Sequence, residues 1–231
     1  MRFSARLPNR AGSPACRGRL PPLAAMPHTL YYTPLSGNSF KPAMVAHHLG
    51  LTLTRQCVDV LGGENRQPAF LAVNPRGQLP YLVTEDGQGL GESNAIAWFL
   101  AEGSPLIPAT PLQRARALQW MIFEQTALEP FISPARIFVH LLPDQRDAKA
   151  AEIERWQAGL QPGLARLEAH LQQTPFIAGE RCTVADIAVF GYTHLTPEAG
   201  VALTPYPAIR AWIDHTREAL AMPSLETLLP G

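Results

Sequence analysis

The stretch Asn74-Pro75-Arg76-Gly77-Gln78-Leu79-Pro80-Tyr81-Leu82-Val83 constrains the chain most, because a loop ends there in a proline and turns at once into an apolar, strand-like run. A proline donates nothing to a β-ladder, so Pro80 belongs at the first position of a strand or at a tight turn. Shortly after it comes Gly91-Glu92-Ser93-Asn94-Ala95-Ile96, where Ser93 reads as the cap of an apolar helix. A proline-ended loop, a short hairpin and a polar pair at a helix start together make a rim rich in free backbone groups. Such a rim suits a small peptide-like anion.

Upstream, Thr29 to Thr33 is aromatic and β-branched, hence a strand, and Pro34 to Asn38 is turn chemistry. Ser39 is the expected cap of a helix running to Leu49, with Pro42 in its first turn and Gly50 closing it. Leu51 to Val58 reads as a second strand and Asn65 to Val73 as a short helix. Leu79 to Thr84 and Gln88 to Leu90 read as a hairpin around Asp86-Gly87, and Ser93 to Glu102 as the next helix. The order β-α-β-α-β-β-α is compact enough to be a domain, spanning 27–104.

Beyond the stiff connection of Pro105, Pro108 and Pro111 the texture becomes purely helical, defining a second domain over 111–231. Pro111 to Thr126 repeats Leu112, Ala115, Leu118, Met121, Ile122 and Gln125 on one expected face. Phe131 to Leu142, interrupted by Pro134, is a second helix. Asp147 to Gln172 is a long amphipathic one with Pro162 as its expected kink. Thr183-Val184-Ala185-Asp186 reads as a capping box with Asp in place of Glu, and Tyr206 to Leu220 as the last sizeable helix.

Composition narrows the function. The 19 basic residues match 19 acidic ones, but Arg2, Arg6, Arg10, Arg17 and Arg19 stand in an acid-free leader, leaving 14 basic against 19 acidic residues in the rest. That balance argues against nucleic-acid binding. Residues 1–26 mix arginine, proline and small residues without periodicity and are expected to be disordered. Prolines 8, 14, 21 and 22 break the helix an organelle transit peptide needs, so Met26 is the expected start of translation. No apolar run approaches the ~18 residues of a membrane span. Cys16, Cys57 and Cys182 are far apart, which fits neither a disulfide framework nor zinc and points to a reducing, cytoplasmic setting. The histidines lack partners at ligand spacing, so no metal is expected. Leu61-Gly62-Gly63 lacks the residues of a phosphate loop.

In this order and spacing, four segments resemble the glutathione S-transferase family: Tyr31 to Lys41, Asn74 to Val83, Glu92 to Ile96, and Gly179 to Asp186. The resemblance implies an α/β thioredoxin-like N-terminal domain followed by an all-α domain, with Leu79–Pro80 in the cis form. It implies glutathione as co-substrate, a small hydrophobic electrophile as second partner, and a homodimer. Leu79, beside Pro80, would pair its main chain with the cysteinyl unit of glutathione. Glu92 and Ser93 would hold the γ-glutamyl end, Gln78 the glycyl carboxylate, and Lys41 would assist by charge. A hydroxyl at the first helix, with that helix's positive end, would keep the sulfur as thiolate. Ser36 is the first choice, with Asn38 and Ser39 as alternatives, while Tyr31 and Tyr32 lie inside the strand.

The departures from the family pattern are as informative. Phe40 stands where a basic residue is frequent, no Ser-Ser-Cys marks the zeta class, and no cysteine occupies the turn as in omega and beta types. Conjugation and glutathione-dependent peroxidase or disulfide reduction both remain open, as does a non-catalytic interaction module of the same fold. Asp186 reads as a capping residue. Trp120, Phe123, Glu124 and Phe131 line either an acceptor site or simply the core.

Overall fold

The computed structural model describes residues 27–230, so the expected disordered leader and the start at Met26 lie outside the described residues. Four strands, β1 (Thr29–Tyr32), β2 (Thr54–Cys57), β3 (Tyr81–Val83) and β4 (Gly89–Leu90), form one sheet in the order β2-β1-β3-β4. β1 runs parallel to β2 and antiparallel to β3, with Leu30 opposite Leu82 and Tyr31 opposite Tyr81. Period-two alternation sends Leu30, Tyr32 and Leu82 inward. They pack with α1 (Gly37–His48) and α3 (Ser93–Ala101), whose apolar faces share the same core. The thioredoxin-like order expected from the sequence is present, with α2 (Pro68–Val73) shortened to six residues behind a 3₁₀ turn at Glu64–Arg66.

Three boundaries differ from expectation. β2 covers Thr54–Cys57, not Leu51 to Val58, because an edge strand persists only where its neighbour offers a ladder, and β1 has four residues. α1 starts three residues earlier than expected: Ser36, not Ser39, is its cap, and the Ser36 hydroxyl accepts the Ser39 N–H at 3.2 Å. Pro42 therefore stands in the second turn, where its missing N–H leaves the Asn38 carbonyl without an intrahelical donor. At α3 the cap position is Glu92, in the left-handed region at φ 66°, and Ser93 is the first helical residue.

The helical half comprises α4 (Pro111–Ala127), α5 (Glu129–Arg136) continued by a π turn over Ile137–Leu141, α6 (Ala150–Leu171), α7 (Val184–Thr193), α8 (Pro207–Ala219) and the short α9 (Leu225–Leu228). α6 buries Ile153, Leu160, Leu164, Leu167 and Leu171 as its periodicity requires. α4 is rotated from the expected face: Ala117, Trp120, Met121 and Glu124 are buried, while Leu112, Leu118 and Ile122 are exposed. The helix carries two apolar stripes, and the core takes the one with the tryptophan.

Asp186 organises the second half. Its carboxylate accepts from the Ile177 and Thr183 amides, both at 2.8 Å, from the Thr183 hydroxyl at 3.0 Å and from the Trp212 indole at 2.9 Å. It therefore caps α7 and ties it to α8; burial raises its pKa above the ordinary carboxyl value, and the hydrogen bonds from Ile177, Trp212 and Thr183 oppose that rise. α7 in turn meets α1 backbone to backbone. A Cβ added at Gly37 would stand 2.4 Å from the Gly191 carbonyl oxygen, and one at Gly191 would stand 2.8 Å from that of Gly37. This glycine-to-glycine approach fixes the N-terminus of α1 against the helical half. From the far end, Tyr32 donates its hydroxyl to the Pro230 carbonyl at 2.6 Å and Arg55 donates to the Leu228 carbonyl at 2.9 Å.

Candidate active site

A cleft of about 770 Å³ opens between the two halves. Ser36 and Asn38 from the start of α1, Gln78, Leu79 and Pro80 from the loop before β3, and Glu92 and Ser93 at the start of α3 all line it. From the helical side it is lined by Gln125 of α4, Glu129, Ser133 and Arg136 of α5, and Tyr192 of α7. The Leu79–Pro80 peptide is cis. Main-chain groups of Leu79 make no hydrogen bond within the described chain, so they are available to an extended ligand. Beside them the first amides of α3 point out of a helix that cannot satisfy them. Gln78 is exposed at the rim, and the exposed Glu92 carboxylate accepts from Arg76 at 3.1 Å.

The start of α1 supplies the other wall. Since the Ser36 hydroxyl accepts from Ser39, its own proton is free to be donated into the cleft, next to the unsatisfied first amides of α1. Asn38 is more heavily engaged. Its Oδ1 accepts from Lys41 Nζ at 3.0 Å, Ser93 Oγ at 3.0 Å and Gln125 Nε2 at 3.3 Å, while its Nδ2 donates to Glu129 Oε1 at 3.4 Å. One side chain thus knots α1, α3, α4 and α5 together at the floor of the cleft.

Two residues singled out in the sequence lie elsewhere. Ser39 is fully buried, its hydroxyl accepting the Thr33 N–H at 3.2 Å, and it does not line the cleft. Lys41 is also fully buried, its ammonium 2.7 Å from the equally buried Glu124 carboxylate. Burial pulls the Lys41 pKa down and the Glu124 charge opposes that pull. Lys41 therefore acts on the site through Asn38 and makes no direct approach to a ligand. Of the aromatic residues considered for an acceptor wall, Trp120 is buried edge-on against Phe123, inside the core.

Glu129, Arg136 and Tyr192 escaped the sequence reading, and Glu124, which that reading set in an acceptor wall or the core, is the buried partner of Lys41. Glu124 interrupts an apolar helical stripe, and that interruption was the available signal, since a carboxylate in a core position requires a cation. Glu129 faces the cleft; burial, and then the Glu124 charge, raise its pKa above the ordinary carboxyl value. Arg136, buried in α5, donates to the Leu35 carbonyl and to Glu198, both at 2.5 Å. It thereby holds Leu35, at φ 60°, in the turn that presents Ser36. Tyr192, donating to Ser133 at 3.2 Å, has its pKa raised to about 12 by burial.

Comparison with known proteins decides the family. Residues 35–102 match the glutathione S-transferase N-terminal domain and residues 150–215 the glutathione S-transferase C-terminal domain. The chain belongs to the glutathione S-transferase family. It is 34% identical to glutathione S-transferase 3 of Zea mays over 195 residues, covering 80% of this chain and 87% of that one. It is 28% identical to the disulfide-bond oxidoreductase YfcG of Escherichia coli, covering 81% and 89%. Elongation factor 1-gamma of Carassius auratus is 34% identical over 80% of this chain, which spans only 42% of that protein.

Among solved structures, a glutathione S-transferase from Pseudomonas fluorescens superposes with a TM-score of 0.82 at 38% identity, covering 86% of this chain and 98% of that one. A Phanerochaete chrysosporium glutathione transferase in complex with oxidized glutathione superposes with a TM-score of 0.74 at 25% identity, covering 87% and 94%. The glutathione transferase fold is therefore common ground, and in this chain Ser36, Asn38, Gln78, Leu79, Pro80, Glu92 and Ser93 are gathered at one cleft.

Proposed function

We propose that the protein is a glutathione transferase that activates the thiol of glutathione for conjugation to, or reduction of, a small hydrophobic electrophile. The observation that carries this reading is the placement, on one cleft, of the unpaired Leu79 backbone and the start of α3 on one side and the Ser36 hydroxyl at the start of α1 on the other. The tripeptide would lie along Leu79 with its γ-glutamyl end at Glu92 and Ser93 and its glycyl end toward Gln78. Its sulfur would meet the Ser36 hydroxyl and the α1 amides, donors that favour the thiolate over the thiol. Leu35, Val60, Leu61, Ile137 and Leu141 supply an apolar wall for the second substrate.

Exposed Phe99, Leu118 and Ile122, beside Trp98, support a homodimer packed through α3 and α4. The two described thiols, Cys57 and Cys182, are both free, which suits a cytoplasmic setting.

Retention on immobilised glutathione and turnover of an aromatic halide test the reading. Ser36→Ala is expected to keep glutathione affinity and lower kcat by ~100-fold, the loss typical of one anion donor. Absence of both retention and turnover refutes the reading. The match to elongation factor 1-gamma favours a second one, an interaction module without catalysis. Calorimetric titration with glutathione separates the two, since a module has no need to bind the tripeptide.

A further inference from the structure

We propose that Glu129 is the group that receives the thiol proton when glutathione binds. The inference rests on the glutathione reading above and concerns a residue which that reading does not use. Forming the thiolate requires somewhere for the proton to go, and Ser36 and the α1 amides are donors that cannot take it.

Glu129 is the carboxylate that the helical half contributes to the cleft wall, at the first position of α5. It reaches across to the start of α1, where its Oε1 accepts from Asn38 Nδ2 at 3.4 Å, a long contact that holds the side chain in place without saturating it. Its surroundings are poised between charge states. Lys41 and the Asn38 amide from α1 favour the anion, Glu124 from α4 opposes it, and the Tyr192 phenol from α7 is neutral at ordinary pH. Lys41 is already neutralised by Glu124 at 2.7 Å, and Arg136 by Glu198 at 2.5 Å. Both cations thus have a carboxylate partner of their own, and the pull of Lys41 on Glu129 is outweighed by burial and by Glu124. Its basicity is raised accordingly, by burial first and by Glu124 second.

The step balances without a further reactant. The S–H bond breaks with its electron pair remaining on sulfur, and the proton forms an O–H bond on the Glu129 carboxylate. After the sulfur attacks an aromatic halide, halide leaves as the anion and the proton passes from Glu129 to solvent, restoring the carboxylate. Thiolate and protonated carboxyl together carry the same charge as thiol and carboxylate, so the cleft binds the activated tripeptide with no change in its net charge.

The test counts protons. Wild-type protein and Glu129→Gln are titrated with glutathione near neutral pH, with a pH indicator for protons released and thiolate absorbance for ionisation; S-methylglutathione, which has no thiol, is the control. The wild type is expected to form thiolate while releasing well under one proton per tripeptide. Glu129→Gln, whose amide still accepts from Asn38, is expected to release close to one proton for each thiolate formed. Its kcat/KM is expected to fall by ~100-fold near neutral pH, the lower range for a positioned base, with the deficit shrinking as pH rises. Should the variant bind poorly, infrared difference spectra of the wild type replace it: a protonated-carboxyl band appearing with glutathione and not with S-methylglutathione supports the assignment, and its absence overturns it. Equal proton release from both proteins, with glutathione bound, overturns the role of Glu129 alone. Failure of the wild type to bind glutathione overturns the underlying reading together with it.

Discussion

Replacing Lys41 by methionine tests whether the floor of the cleft is held by an ion pair. Lys41 and Glu124 are both 0% exposed and lie 2.7 Å apart. The ammonium also donates to Asn38 Oδ1 at 3.0 Å. Methionine fills most of the volume, so the cavity contribution is small and the loss is electrostatic. Glu124 Oε1 already has no partner, and without Lys41 its Oε2 keeps only the Gln125 amide at 2.9 Å. A buried carboxylate stripped of its cation costs roughly 3–5 kcal/mol. At about 2–4 °C per kcal/mol for a protein of this size, Tm is expected to fall by roughly 6–20 °C. Urea and thermal unfolding would measure it. The double variant Lys41→Met/Glu124→Leu is expected to recover most of the loss, because a well-packed apolar pair replaces such an ion pair at little cost. A single-variant loss under ~1 kcal/mol, the range of exposed pairs, would refute the argument.

Other expectations follow from the same geometry. Asp186→Asn removes the anion that accepts four hydrogen bonds and is expected to destabilise the protein by roughly 2–4 kcal/mol, read by denaturant midpoint. Burial lowers the His194 pKa to about 4; the ring stacks on Phe190 with centroids 4.4 Å apart. The folded state therefore resists protonation, and stability present above pH 6.5 is lost as pH falls toward 4. The loss is roughly 3 kcal/mol, and His194→Phe is expected to flatten that limb in a pH series of unfolding curves. Tyr32→Phe removes the bond to Pro230 and is expected to cost about 1 kcal/mol, with amide exchange rising at Leu228 and Leu229.

The parts of the site carried by local signals were legible in the chain. Pro80 at the mouth of β3, the polar pair Glu92-Ser93 before an apolar helix, and the turn around Ser36 each depend on neighbours a few residues away. Where two local solutions were equally good, the sequence could not choose. Ser36 and Ser39 are both sound caps, and the decision came from Ser39 being needed by Thr33 in the core. α4 offered two apolar stripes, and only packing against α7 selects the one carrying Trp120 and Met121. Pairings across long separations were invisible: Lys41 and Glu124 stand 83 positions apart and Asn38 and Glu129 stand 91 apart. Lys41 looked like a ligand contact because nothing nearby in the chain showed what would bury it.

The bond between Tyr32 and Pro230 spans 198 positions. Vectorial synthesis delivers the sheet long before its partner exists. The first strand must therefore wait, with that hydroxyl and the Arg55 guanidinium bonded only to water, until the helical half has been made. Trimming a few residues near Pro230 would thus be felt at the opposite end of the chain, on the strand that leads into the Ser36 turn.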